Sequence, residues 1–347
     1  MLTVTADRLR TIGHRIFTSA GTPSDIANHV VDSLVETTLL GHDSHGVIRI
    51  PSYVAAIKQG QLLPAAQPAI TRETATTALV DGNLAFGQIA ATFATDLAIA
   101  KARAAHLAAA SILRCNHIGR LGEYAERAAR AGMLSMIVFG AFGAGGAAPF
   151  GGAGRVLGTN PFAFGVPSSG SHGPMIADFA TTTVAEGKLR VARAKKKPVP
   201  QGWIVDKQGN PTTNVEDYYS GGSLLPFGGH KGYALSMVAA ALGGSLATGG
   251  IPGPDLPGVR GTFVLVINPE GFRPFQEFAA SADALFETVK AAPPASGSSE
   301  VLIPGEPERR ERAKRLAEGV PVPEETWNQL EVVAAELGVS STCMFAL

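Results

Sequence analysis

Cysteine is nearly missing from this chain: 347 residues hold two, Cys115 and Cys343, far apart and in no Cys-x-x-Cys pair. That excludes a disulfide-stapled scaffold and a thiolate zinc site. An excess of either charge is missing too. The 29 lysines and arginines balance 29 aspartates and glutamates, which leaves no electrostatic case for nucleic acid or an anionic membrane. No apolar run reaches the ~18 residues of a membrane span without polar breaks. The amino-terminal stretch lacks the basic-then-apolar order of a secretory signal, so the cytoplasm is the expected compartment. A Walker lysine motif is absent. His42-x-x-His45 offers two imidazoles, but no further ligands gather nearby in sequence to make a metal site.

Apolar residues are abundant at 45%, charged ones few at 17%. A chain of this length exceeds one ordinary core, so two lobes or a large α/β body are expected. The mean hydropathy of +0.15 points to apolar surface that needs covering, which favours a homodimer.

Periodicity predicts a helix over 5–20 with Leu9, Ile12, Ile16 and Phe17 as its stripe. A second helix runs over 24–40, with Ser24 as N-cap and Gly41 as its stop. A tight turn then carries Ser44 to Arg49, and a helix opens near Pro51 and ends near Gly60. Residues 62–74 read as Pro/Ala-rich loop, 77–81 as a strand, and 87–106 as an Ala-rich helix with Ile89, Phe93, Leu97 and Ala100 inward. Apolar 107–113 leads to a helix over 120–131 and a strand over 134–139. Residues 140–158, rich in glycine and uncharged until Arg155, read as loop. Further expectations are strands at 162–167, 175–179, 262–268 and 301–303, and helices at 187–194, 233–246, 275–291, 306–319 and 323–337. Irregular segments are expected at 199–210 and 249–261. No internal repeat is visible.

Gly41 to Tyr53 is the densest polar stretch. Arg49 lies four residues past His45, and Tyr53 four past Arg49, so a helical path projects all three to one side. Reduction of a 2-oxo acid needs such a set. A guanidinium pins the carboxylate through paired hydrogen bonds, and an imidazole protonates the carbonyl oxygen. The same residues also read as helix-capping histidines beside a solvated arginine.

Gly143-x-Gly145-x-x-Ala148 follows a strand and mimics a dinucleotide fingerprint, but Pro149, Gly151, Gly152 and Gly154 follow where a helix must open. That excludes a Rossmann finger. Three other loops precede helices and suit an anion, or are ordinary helix starts: 117–121, His230-Lys231, and 304–310.

These stretches together resemble the malate/L-lactate dehydrogenase family, which is unrelated to Rossmann-type lactate dehydrogenases and includes ureidoglycolate, sulfolactate and piperideine-2-carboxylate enzymes. The resemblance is carried by Gly41-His-Asp-Ser-His-Gly46 with Arg49 and Tyr53, Asn116-His-Ile-Gly119, Leu157-Gly-Thr-Asn-Pro-Phe162, Asp178-Phe-Ala-Thr-Thr182, Gly228-Gly-His-Lys-Gly-Tyr233 and Ile303-Pro-Gly-Glu306. The run from His117 to Tyr124 resembles the hydroxycarboxylate dehydrogenase B branch most.

The resemblance implies an α/β fold with a non-Rossmann mixed sheet binding NAD or NADP, and a second, mainly helical lobe built from both chain ends. The corresponding division is 1–75, 76–300 and 301–347. It implies a homodimer, with Ser44 and His45 as the proton-relay pair, and with Arg49, Tyr53 and Thr159 at the substrate. His117 is the alternative acid/base. Cofactor contacts fall on His117, Ile118, Gly119, Arg120, Leu121, Asp178, Phe179, Ala180, His230, Lys231, Gly305, Glu306, Arg309 and Arg310. NADP needs a cation near its 2′-phosphate and NAD meets a carboxylate at its ribose. The carboxylates at 306 and 308 come before the arginines at 309 and 310, a slight lean to NAD. The expected activity is hydride transfer at C2 of a small 2-hydroxy or 2-oxo acid. Its rivals are reduction of a cyclic imino acid and an inactive ligand-binding protein on the same fold. No nucleic acid or membrane partner is expected.

Overall fold

The strand Leu2–Val4 (β1) leads into helix Ala6–Ser19 (α1), where Thr5 caps the end by accepting the Arg8 amide. This is a computed structural model that describes residues 2–248 and 258–339; Cys343 and most of the loop expected at 249–261 lie outside them. Leu9, Ile12, Ile16 and Phe17 form the buried stripe of α1, as their spacing requires. Helix Ser24–Leu39 (α2) follows. Pro23, not Ser24, takes the cap position, and no side chain closes that end. Gly41 at φ +85° ends the helix in the left-handed region that glycine enters at no steric cost.

Two short 3₁₀ turns come next, Asp43–His45 and Val47–Arg49, and then helix Ile50–Lys58 (α3) with Pro51 in its first turn. Gly46 joins the two turns because nothing larger fits. A Cβ there would sit 2.0 Å from Thr38 Oγ1, the atom that accepts the Val47 N–H.

The central body is one ten-stranded mixed sheet. Its strands and covering helices run in chain order as β2 (Ala69–Glu73), β3 (Thr77–Asp81), α4 (Gly87–Ala105), β4 (Leu107–Leu113), α5 (Leu121–Arg130), β5 (Leu134–Ala147), β6 (Phe162–Val166), β7 (Met175–Phe179) and α6 (Glu186–Ala194). Then come β8 (Ile204–Val205), β9 (Pro211–Thr212), α7 (Val215–Tyr219), β10 (Ser223–Leu224) and α8 (His230–Ala239). A π-helical turn, Ala240–Ser245, passes into α9 (Leu246–Thr248), and β11 (Val259–Ile267) follows. β3 and β4 are parallel and joined by α4, whereas β11 lies antiparallel between β4 and β5. No glycine-rich finger opens a helix after the first strands, so the sheet is not of Rossmann type.

The remaining helices are α10 (Phe275–Lys290), α11 (Glu306–Glu318) and α12 (Glu324–Glu336), with β12 (Val320–Val322) between the last two. β12 pairs antiparallel with β1, and Trp327, Leu330 and Ala334 pack into the core of α1, α2 and α3. The two ends of the described chain thus share one hydrophobic cluster.

Further expectations need correction. The segment expected to be irregular at 199–210 holds β8, paired with β9 and β10. The segment read as loop at 62–74 contains β2, paired with β3 along a sheet edge. Helix α4 buries Ala90, Ala91, Ala94, Ala98 and Ala102, while Phe93 and Ala100 face out. Small residues let that helix approach the sheet, so the larger side chains were the wrong guide. Residues 140–147 continue β5, because β11 supplies their backbone partners from Val259 onward. Glycine is required there by crowding: a Cβ on Gly140 would lie 1.8 Å from the Ala239 carbonyl. The helix expected at 233 starts at His230. Finally, 301–303 forms no strand, while the β1–β12 pair was not anticipated.

Candidate active site

The two 3₁₀ turns project Ser44, His45 and Arg49 from the end of α2. Ser44 Oγ lies 2.9 Å from His45 Nδ1, and Arg49 Nε donates to the Ser44 carbonyl at 2.6 Å. The start of α6 closes over them at Gly187, where a Cβ would come within 3.2 Å of Ser44 Cβ. The Nη groups of Arg49 make no hydrogen bond to any described residue. Burial holds its guanidinium below the ordinary arginine value, and nearby Arg190 adds to that.

His117 arrives from the far side, on the loop between β4 and α5. Asn116 fixes that loop by donating to the carbonyls of Leu84 and Ala85 at 2.9 and 3.0 Å. The His117 ring lies against His45, centroids 5.2 Å apart and planes at 25°. Its Nδ1 faces the Tyr53 hydroxyl at 2.8 Å and the Gly119 N–H at 3.3 Å. Gln88, fully buried at the start of α4, donates to the same hydroxyl at 3.0 Å. Neither Nε2 has a hydrogen-bond partner among the described residues.

Burial, with the Arg49 charge second, lowers His45 to about 4 and His117 to about 3. Both rings are therefore neutral near pH 7. A carboxylate on Arg49 would cancel part of that charge and raise the proton affinity of both.

A second polar cluster surrounds Asp178 at the end of β7. The Gly122 N–H donates to Asp178 at 2.7 Å, and burial raises that carboxyl against the pull of Arg120. Arg120 is only 6% exposed and its Nε has no partner. His42 lies 3.6 Å from Glu308, whose second carboxylate oxygen is buried and unpaired.

The other expected residues scatter. Ile118 and Leu121 are core side chains, leaving only backbone to the site. Thr159 accepts both the amide and the hydroxyl of Thr181 at its carbonyl, and no hydrogen bond links it to the histidine pair. Phe179 stacks against Phe162 and Phe164, and Ala180 follows it just past the end of β7. His230 rests on Phe150, beside a cavity of about 690 Å³, and Lys231 lies in the first turn of the same helix. Gly305, at φ +93°, starts α11. Glu306 is held by Lys290 at 2.7 and 2.8 Å and by the Ile303 amide. Arg309 donates to the Pro174 carbonyl and keeps a buried, unpaired Nη2, while Arg310 pairs with Glu300 on the surface.

Two residues escaped the sequence reading. Gln88 carried no signal, being one polar residue in an Ala-rich helix. Asn160, fully buried at φ +40°, accepts the Ala141 amide and donates to Ser236, tying β5 to α8. Its place in the Leu157–Phe162 motif was visible, but its structural role was not. Among the described residues no cluster of histidine, cysteine and carboxylate could hold a metal, and no helix is long and apolar enough to cross a membrane.

A sequence profile of the malate/L-lactate dehydrogenase family matches residues 4–331. The chain is 36% identical to an L-sulfolactate dehydrogenase of Methanocaldococcus jannaschii, over 92% of this chain and 93% of that protein. It is 36% identical to hydroxycarboxylate dehydrogenase B of Escherichia coli strain K12, over 96% and 94%. A solved structure of a putative malate/lactate dehydrogenase from E. coli superposes with a TM-score of 0.91 at 35% identity, covering 99% of this chain and 98% of that one. The chain thus belongs to the malate/L-lactate dehydrogenase family and is a hydroxy-acid oxidoreductase.

Proposed function

We propose that the protein moves hydride between a nicotinamide dinucleotide and C2 of a small 2-hydroxy or 2-oxo acid. The observation that carries this reading is the free Arg49 fork beside two neutral imidazoles with unoccupied Nε2 atoms. Arg49 binds the substrate carboxylate in two parallel hydrogen bonds. His45, neutral in the free protein, takes the hydroxyl proton at Nε2 during oxidation and returns it during reduction. When it does so its Nδ1–H needs an acceptor, and Ser44 Oγ stands 2.9 Å away. His117 holds the reacting oxygen, and Tyr53 holds His117. Bound nicotinamide supplies or receives the hydride.

The residues present fit such a cofactor. Arg120 and Arg309 each keep a buried, unpaired nitrogen suited to phosphate or ribose oxygens, and Glu308 keeps an unpaired carboxylate oxygen suited to a ribose hydroxyl. With Glu306 and Arg310 engaged elsewhere, Glu308 favours NADH, with tolerance for NADPH. The test mixes protein with NADH or NADPH and a panel of 2-oxo acids while following nicotinamide absorbance. No turnover with any of them would sink the reading. A kcat/KM for NADPH more than tenfold above that for NADH would reverse the cofactor preference.

The protein works as a cytoplasmic homodimer in this reading, with two lobes meeting near residues 75 and 300. Leu235, Met237, Val238 and Leu246 stand exposed along α8 and α9, an apolar strip that a second copy would cover. A monomeric mass by light scattering at micromolar concentration would exclude the dimer.

A further inference from the structure

Gln88 is fully buried, and the reaction described above assigns it no part. The hydrogen bonds around His117 fix what it does. The Gly119 N–H points at His117 Nδ1, and a backbone N–H cannot reverse its sense. Nδ1 is therefore an acceptor, and the ring hydrogen sits on Nε2. The Tyr53 hydroxyl, 2.8 Å from the same bare nitrogen, has to donate to it. A hydroxyl that donates there has only lone pairs left, and the Gln88 amide N–H fills one at 3.0 Å. The other Gln88 orientation would turn a carbonyl oxygen onto those lone pairs. Burial also pushes the Tyr53 phenol up, so its proton stays on oxygen.

We propose that Gln88 is a positioning residue which, acting through Tyr53, locks His117 in the Nε2–H form, so that His117 presents a fixed hydrogen-bond donor to the reacting oxygen and cannot act as its base. This rests on the roles proposed above for His45 and His117, but it is tested without turnover. The ring nitrogens of His117 in the ligand-free, full-length protein report the tautomer directly by ¹⁵N NMR at pH 7. The wild-type ring is expected almost wholly as Nε2–H.

Gln88→Met keeps the length and the burial while removing the donor; the Gln88 oxygen has no partner to lose. Tyr53 is then free to turn toward the His117 carbonyl, 3.3 Å away. The Nδ1–H population should rise about fivefold, the worth of one hydrogen bond. kcat should fall with it while substrate KM stays nearly constant. Tyr53→Phe should raise the Nδ1–H population as well, and adding Gln88→Met to it should do nothing more. Should Gln88→Met not fold, Gln88→Leu, which also removes the donor, takes its place in the same comparison. A wild-type ring protonated at Nδ1, an unchanged tautomer in the variants, or additive effects in the double variant would each overturn the proposal. An Nε2–H ring that responds as described in a protein that reduces no 2-oxo acid would uphold the lock and remove only the reaction.

Discussion

His45 and His117 stack ring on ring, both neutral near pH 7, yet their surroundings differ in kind. His117 stands on a loop clamped by Asn116, with a backbone N–H and a buried phenol on its Nδ1. His45 stands in a 3₁₀ turn whose Ser44 hydroxyl can donate or accept at Nδ1 as it rotates. An imidazole that gains and loses a proton at Nε2 must carry its other hydrogen on Nδ1, which needs an acceptor there, and the Ser44 hydroxyl can be one. One that only polarises an oxygen is better served by fixed donors at Nδ1. Two residues of one type can thus divide the roles of base and donor, and the division lies in what touches Nδ1.

The comparison breaks most decisively at His45. His45→Ala should lower kcat by about 10² to 10⁴ with nicotinamide binding intact, measured by steady-state kinetics and cofactor titration. His117→Ala should cost less, about 10², the loss of one donor at the reacting oxygen. If His117→Ala abolishes turnover while His45→Ala barely matters, the two roles are exchanged.

Arg49→Lys should cost about 2 to 3 kcal/mol in kcat/KM, mostly through KM, because a point charge loses the bidentate fork. An unchanged value would remove Arg49 from the substrate.

The smallest effect is electrostatic and sharpens the contrast. In oxidation, kcat/KM should be level through neutral pH and fall tenfold per unit below the His45 value of about 4, where the base is protonated. Reduction carries the opposite sign and should decline as pH rises. Arg49→Met removes a positive neighbour and should move His45 upward by about one unit, read by NMR titration. Stability follows the same sign. Both histidines sit below their unfolded value of 6.5, so their contribution is complete above that pH. It is lost as pH falls toward about 4 for His45 and about 3 for His117. Urea midpoints from pH 7 to 4 should therefore fall less steeply for His45→Asn than for wild type.

Helices with wide apolar stripes, such as α1, were legible because 3.6-residue spacing is a local property. The face of α4 was not, because its neighbours decide that alanines turn inward. The glycine-rich half of β5 was read as loop for a related reason. Glycine has low strand preference on its own, but β11 and α8 demand a residue with no side chain there. In the site, the spacing of His45, Arg49 and Tyr53 was visible, since nine consecutive residues hold them. That His117 joins them across 64 residues from Tyr53 was not a matter of spacing.

Residue types therefore set the available chemistry before any folding argument: an arginine fork, two imidazoles, a phenol, and too few thiols for a metal or disulfide scaffold. Tertiary structure alone decided which nitrogen of each imidazole is free, which carboxylate near 306–308 is already taken, and that a buried glutamine stands behind Tyr53. The reason is physical. Composition and period are carried by the chain itself, whereas the direction of a hydrogen bond, and the burial that lowers a pKa, exist only once distant segments are packed together.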